Sequence, residues 1–246
     1  YFRIGVPFEK QVVAKIGEAI KGFNIVDTCQ GIRQRAMTAE EIAAEIHEAT
    51  STGHHDEEGH SRDNDHKSHH HDEGELDPHV WMNPRLVKIQ AGNIRDELIR
   101  LDPDHRNEYE LNCRAFEKEL DLLDARIMAS LASLHGREFF VFHPGFGYFA
   151  DAYGLKQVAV ETGGKQPTAK QLGELIERAR RAGVKLIFVQ PQFARQSAVA
   201  VAQAIGGAVV MMDSLAEDYL ANLQDVALKI EKALSPTSGA TTNPQT

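Results

Sequence analysis

Apolar and polar positions divide the chain into three regions. In the first, YFRIGVPF reads as a buried strand, and residues 8–19 continue with apolar side chains at helical spacing. NIVDT, with Ile25 and Val26, reads as another short strand. Thr38, followed three residues later by Glu41, fits a capping box that opens a short helix over EEIAAEIHEA. Over residues 50–75 apolar side chains nearly vanish while charges abound. Burial there cannot offset the entropy of ordering the backbone, and a mobile loop is expected.

The second region is helical. Asn83-Pro84 opens a helix through Arg100, with Leu86, Ile89, Ile94 and Leu98 on one face. LDPD breaks it at Pro103, and a longer pattern runs over residues 104–134 with no internal Gly or Pro. At 1.5 Å per residue that pattern would span roughly 45 Å, the length of a strut joining two lobes. The third region alternates. REFFVFH, LKQVAVE, VKLIFVQ and AVVMMD read as strands; GYFADAYG and residues 168–182, 195–205 and 220–234 read as helices. Short, largely apolar strands interleaved with helices predict an α/β fold with a parallel sheet covered on both faces. The expected divisions are a first lobe over residues 1–83 with a His-rich loop at 53–75, linking helices over 84–135, a second lobe over 136–234, and a disordered Ser/Thr/Pro/Gly-rich tail over 235–246.

Composition narrows the function. With 42% hydrophobic and 26% charged residues among 246, the chain is an ordinary soluble protein. A formal net charge of −9 argues against nucleic acid and against a basic membrane-surface patch, and suits cations. No stretch approaches the roughly 20 apolar residues of a membrane span. The first residue is Tyr1 and YFRIGVPF lacks the character of a signal peptide, so the natural beginning, and any secretory signal, is expected upstream. Cys29 and Cys113 share no spacing motif; they are either paired or both free, with free buried thiols favoured.

Candidate chemistry starts in GHHDEEGHSRDNDHKSHHHDEGELDPHVWMNP. His54, His55, His60, His66, His69, His70 and His71 mix there with Asp56, Glu57, Glu58, Asp63, Asp65, Asp72 and Glu73. An affinity tag would be terminal and nearly pure histidine. The open readings are a solvated polar loop and a flexible, low-specificity metal collector, and the imidazole–carboxylate mixture favours the collector. His79, in DPHVWMNP, follows that run and is bracketed by Asp77-Pro78 and Asn83-Pro84. It is either a packed core histidine beside Trp81 or a preorganised ligand. His143 ends the strand FFVF and Asp213 ends VVMM, at the carboxyl ends where open α/β sheets place their sites. Their alternatives are a capping histidine and a helix N-cap. Gln190 closes LIFVQ; a neutral amide is a poor transition-metal ligand and suits a hydrogen-bonding partner behind one. Two imidazoles and a carboxylate suit zinc, with manganese as the alternative.

RIGVPFE, the His-rich loop followed by DPHVWMNP, FHPGFGYFADAYGL, ETGGKQPTAKQL, and IFVQPQF followed by MMDSLAED occur in one order. Together they resemble the zinc/manganese-binding proteins of bacterial ABC importers, the ZnuA/TroA-like family, over nearly the whole chain. The resemblance implies two α/β lobes joined by a long rigid backbone helix, with the metal in the inter-lobe cleft. It implies a monomeric extracytoplasmic or periplasmic protein that captures Zn2+, or Mn2+, for an ABC permease, with no catalytic residues. His79, His143 and Asp213 then look like metal ligands. Two departures stand out. The family's further histidine, usually in a Pro-His motif, would lie before Tyr1, and Gln190 replaces a Glu frequent in the family. The acidic His-rich loop tips the expectation to zinc. A metalloenzyme is the competing class, since three ligands leave an open position, but the chain has no HExxH. Metal storage or adhesion is the third reading.

Overall fold

The computed structural model describes residues 1–37, 76–160, 169–192 and 195–235. The expected helix over EEIAAEIHEA, the His-rich run, the ETGGKQPT segment and nearly all of the tail lie outside the described residues.

The second lobe is built on four parallel strands, β3 (Glu138–Val141), β4 (Lys156–Ala159), β5 (Leu186–Val189) and β6 (Ala208–Met211), in the spatial order β4-β3-β5-β6. Helices α4 (Gly147–Ala152), α5 (Ala169–Arg181) and α6 (Arg195–Ala204) connect them, and α7 (Tyr219–Leu234) closes the lobe. Strand alternation divides the core. Phe139 and Val141 point into one apolar cluster with Leu123, Ile127 and Val226, whereas Phe140 and Phe142 point into another with Val158, Val201 and Ile205. Both faces of the sheet are thus covered, which explains why the strands read as continuous apolar runs.

The linking helices are α2 (Pro84–Leu101) and α3 (Arg106–Leu131). Asn83 caps α2 by accepting from the Arg85 N–H at 2.9 Å, with Pro84 in the first turn where its missing N–H costs nothing. The 26 residues of α3 span about 39 Å, shorter than the length expected from the pattern. The difference lies at the ends, where Pro103–His105 and Ala132–Leu134 tighten into 3-10 turns. Leu120, Leu123, Ile127 and Leu131 form the buried stripe of α3.

The first lobe departs most from expectation. YFRIGVPF is not a buried strand: β1 is only Phe2–Arg3, half-buried, paired in parallel with β2 (Val26–Asp27). Gly5, at φ +99°, turns the chain, and Phe8 is 67% exposed. Helix α1 (Glu9–Ala19) begins where the buried Glu9 carboxylate accepts from the N–H groups of Ile4, Gly5 and Val6. That carboxylate ends the strand by taking the N–H groups a longer ladder would need. Cys29 and Cys113 are free, buried thiols.

Phe140 is fully buried in the strand that leads to His143. Phe140→Ala should lower unfolding free energy by about 3–5 kcal/mol. Urea denaturation of the purified chain should show this as a lower midpoint at unchanged slope.

Candidate metal centre

His79 is held from behind by an acid two residues earlier. The Asp77 Oδ1 accepts from the His79 backbone N–H at 2.9 Å and lies 2.8 Å from the ring Nδ1. Pro78 stiffens the link, and the next residues form a 3-10 turn, Val80–Met82, whose Val80 and Met82 are buried. An ionised carboxylate only accepts, so Nδ1 carries the hydrogen, and the tautomer this selects has its lone pair on Nε2. This is the carboxylate–imidazole arrangement that orients metal-binding histidines.

His143 follows β3 and is fixed through its backbone. The Gln190 side chain donates to the His143 carbonyl at 2.8 Å and accepts from the His143 N–H at 3.3 Å. From β4, Gln157 accepts from the Phe146 N–H at 2.7 Å and donates to the Pro144 carbonyl at 3.2 Å. The His79 and His143 rings stand edge to face, with centroids 5.4 Å apart. A methyl group at Gly145 would lie 3.5 Å from His79 Nε2 and from His143 Cδ2, so both rings turn an edge toward this glycine.

The loop after β6 completes the surroundings. Trp81 packs 5.2 Å from the His79 ring, and its indole N–H donates to the Ser214 carbonyl at 2.9 Å. The Tyr219 hydroxyl donates back to the Trp81 carbonyl at 2.8 Å. Asp213 accepts from Gln192 at 3.1 Å and from the Leu215 N–H at 2.9 Å. It does not cap α7; Asp218 does, accepting from the Ala221 N–H at 3.1 Å. Among the described residues no three His, Cys, Asp or Glu side chains group as a metal site. The structure brings His79 and His143 together with Gln190 behind them, and holds Asp213 in hydrogen bonds to Gln192, in the loop after β5, and to Leu215 of its own loop. His54, His55, His60, His66, His69, His70 and His71 lie outside the described residues.

Residues 1–233 match the family model described as zinc-uptake complex component A periplasmic, ZnuA. The chain belongs to the ZnuA family. The high-affinity zinc uptake system protein ZnuA of Yersinia pestis is 33% identical over 151 residues, covering 61% of this chain and 46% of that protein. Its namesake from Bacillus subtilis (strain 168) is 32% identical over 142 residues, covering 57% and 44%. The chain spans a little under half the length of these curated relatives. A crystal structure of ZnuA superposes with a TM-score of 0.79 at 36% identity, over 96% of this chain and 80% of that one. A ZnuA deletion mutant with zinc bound gives 0.77 at 34%, over 96% and 78%. The fold is therefore the parallel-sheet α/β architecture of two-lobed ZnuA-like binding proteins, with a long central helix.

Three residues around the His79–His143 pair escaped the sequence reading: Asp77, Gln157, and Arg35, whose guanidinium donates to the Asp77 Oδ2 at 2.6 Å. Asp77 was visible only as half of an Asp-Pro turn, although an acid two positions before a candidate ligand was a usable signal. Gln157 and Arg35 carried none, because only the fold brings them to the site.

Electrostatics follow burial. Burial would push the Asp77 carboxyl up, but the bonds from His79 and Arg35 outweigh it and hold the group below the usual carboxylate range. Burial pushes the His143 imidazole down to about 3, aided by the neighbouring His79 ring and opposed by the Asp77 charge. His143 is therefore neutral and ready to act as a nitrogen donor throughout the physiological range. An unfolded chain takes up a proton at this histidine below about pH 6.5, and the folded chain does not until near pH 3. Stability should fall with pH across that window. In metal-free protein, thermal melts from pH 7.5 to 4.5 should show a shallower fall for His143→Gln than for the parent.

Proposed function

We propose that the chain is part of an extracytoplasmic solute-binding protein that captures zinc with high affinity in the cleft between its lobes and delivers it to an ABC permease. The observation that carries this reading is the His79–His143 pair. The two buried rings come from opposite lobes, and one of them is backed by a buried carboxylate. Two imidazoles with a carboxylate behind one of them suit zinc. Family membership and relatives named as high-affinity zinc uptake proteins support the cargo and the transport role. Zinc is the cargo here, and the reading includes no bond-making chemistry.

In this reading residues 1–83 and 136–234 are the two lobes and residues 84–135 their connection. Asp213 is the proposed third ligand, reaching the ion by exchanging its bonds to Gln192 and Leu215 for the metal. Gln190 acts through the backbone of His143 rather than on the ion. The histidines of residues 53–75 are the proposed low-affinity collector of ions, their imidazoles mixed with carboxylates. The protein works as a monomer in the periplasm or its equivalent.

Isothermal titration of the full chain with zinc, and competition with manganese, tests the assignment. His79→Ala and His143→Ala should each weaken zinc at least 100-fold, and Asp213→Ala should weaken it less. Deleting residues 53–75 should leave the tight site in place. Loss of tight binding on that deletion alone would sink the division between collector and site.

A further inference from the structure

Asp77 has two oxygens, and only one serves His79. The other, Oδ2, lies 2.6 Å from the Arg35 guanidinium. Asp77 is fully buried, whereas the Arg35 side chain retains 18% of its exposure. The Arg35 Nε also donates to Asp151 of α4 at 2.9 Å, an exposed partner that contributes little by itself. The backbones are stitched as well. The Asp77 N–H donates to the Arg35 carbonyl at 3.0 Å, and Ala36 and Leu76 form an antiparallel bridge. The Tyr148 hydroxyl accepts from the Arg35 N–H and donates to the Asp77 carbonyl, each at 3.0 Å.

Gly147 gives this guanidinium its room. A methyl group there would lie 2.0 Å from Arg35 Nη1, 2.7 Å from its Cζ and 2.8 Å from Asp77 Oδ2. Its backbone φ is not in the left-handed region, so the position needs a glycine for space alone. The first glycine of α4 is thus the surface on which the Arg35–Asp77 pair rests.

We propose that Arg35 is a positioning residue for the metal site: seated on Gly147, it holds Asp77 so that His79 keeps its hydrogen on Nδ1 and presents Nε2. With Arg35 removed, the carboxylate can rotate away from Nδ1, and the ring is free to exchange tautomers and orientation. The effect on zinc rests on the function proposed above; the effect on the His79 ring does not.

The test uses the full chain in three variants. Arg35→Gln removes the charge, Arg35→Lys keeps it, and Gly147→Ala displaces the guanidinium while leaving Arg35 present. The backbone stitching does not depend on the side chain at 35, and a methyl at 147 meets side-chain ends, the Arg35 guanidinium first and the Asp77 carboxylate beside it, so the variants should fold. Nitrogen-15 spectra of histidine-labelled, metal-free protein read the His79 ring directly. The parent should show the Nδ1-protonated form; Arg35→Gln and Gly147→Ala should both shift the ring nitrogens toward a tautomer mixture, and Arg35→Lys should largely restore the parent pattern. Zinc affinity should fall about 10- to 100-fold in Arg35→Gln and in Gly147→Ala, the usual range for a partner behind a ligand. The double variant should be no weaker than the worse single one, because both act through the same pair. Parent-like His79 ring signals in folded Arg35→Gln and Gly147→Ala would overturn the proposal, whether or not zinc affinity fell.

Discussion

The site is organised around one buried carboxylate. Asp77 has no exposed side-chain surface, and an isolated charge there would be strongly unfavourable. It is stabilised by a guanidinium on one oxygen and, on the other, by the His79 backbone N–H and ring. Removing any partner leaves the others with a poorly compensated charge, so the arrangement holds together as a unit. That unit fixes where residues 35 and 77 meet, and therefore where His79 begins the turn that packs Val80 and Met82 into the core.

Behind His143 the same task falls to a neutral group. Gln190 both donates to and accepts from the backbone of His143. A Glu at this position could accept from the N–H but would have no hydrogen for the carbonyl when ionised. The glutamine therefore has a reason here: it closes a reciprocal pair of hydrogen bonds that a carboxylate could not. It does so without bringing a second negative charge next to the neutral, buried His143.

The α/β alternation of the second lobe, the cap at Asn83 and the positions of His143 and Gln190 at strand ends were legible because period, turn chemistry and strand-end geometry are local properties. The pairing of His79 with His143 was an expectation of the family resemblance, since their separate placements left a core histidine and a capping histidine open. The extent of β1 was misread, because an apolar octapeptide looks like a strand until a carboxylate four residues beyond Gly5 takes its N–H groups. Arg35, Gln157 and Gly147 were invisible for a different reason. Each acts across a sequence gap of more than ten residues, and nothing in a neighbouring residue announces such a contact. Asp213 was placed correctly at a strand end, yet its side chain is engaged by Gln192 and Leu215, a choice among hydrogen-bond partners that spacing does not reveal.

The cost of ordering His79 falls on folding rather than on binding. The lobes are joined around His79 by Tyr148 to Asp77, by Trp81 to Ser214 and by Tyr219 to Trp81. These bonds form on folding, so the entropy of fixing the ring is spent before any ligand arrives, and binding can use the full donor strength of Nε2. A histidine on a flexible segment must instead be ordered at the moment of binding. Preorganisation of this kind favours retention of a ligand, and His79 receives it from Asp77, Trp81 and their partners in the fold.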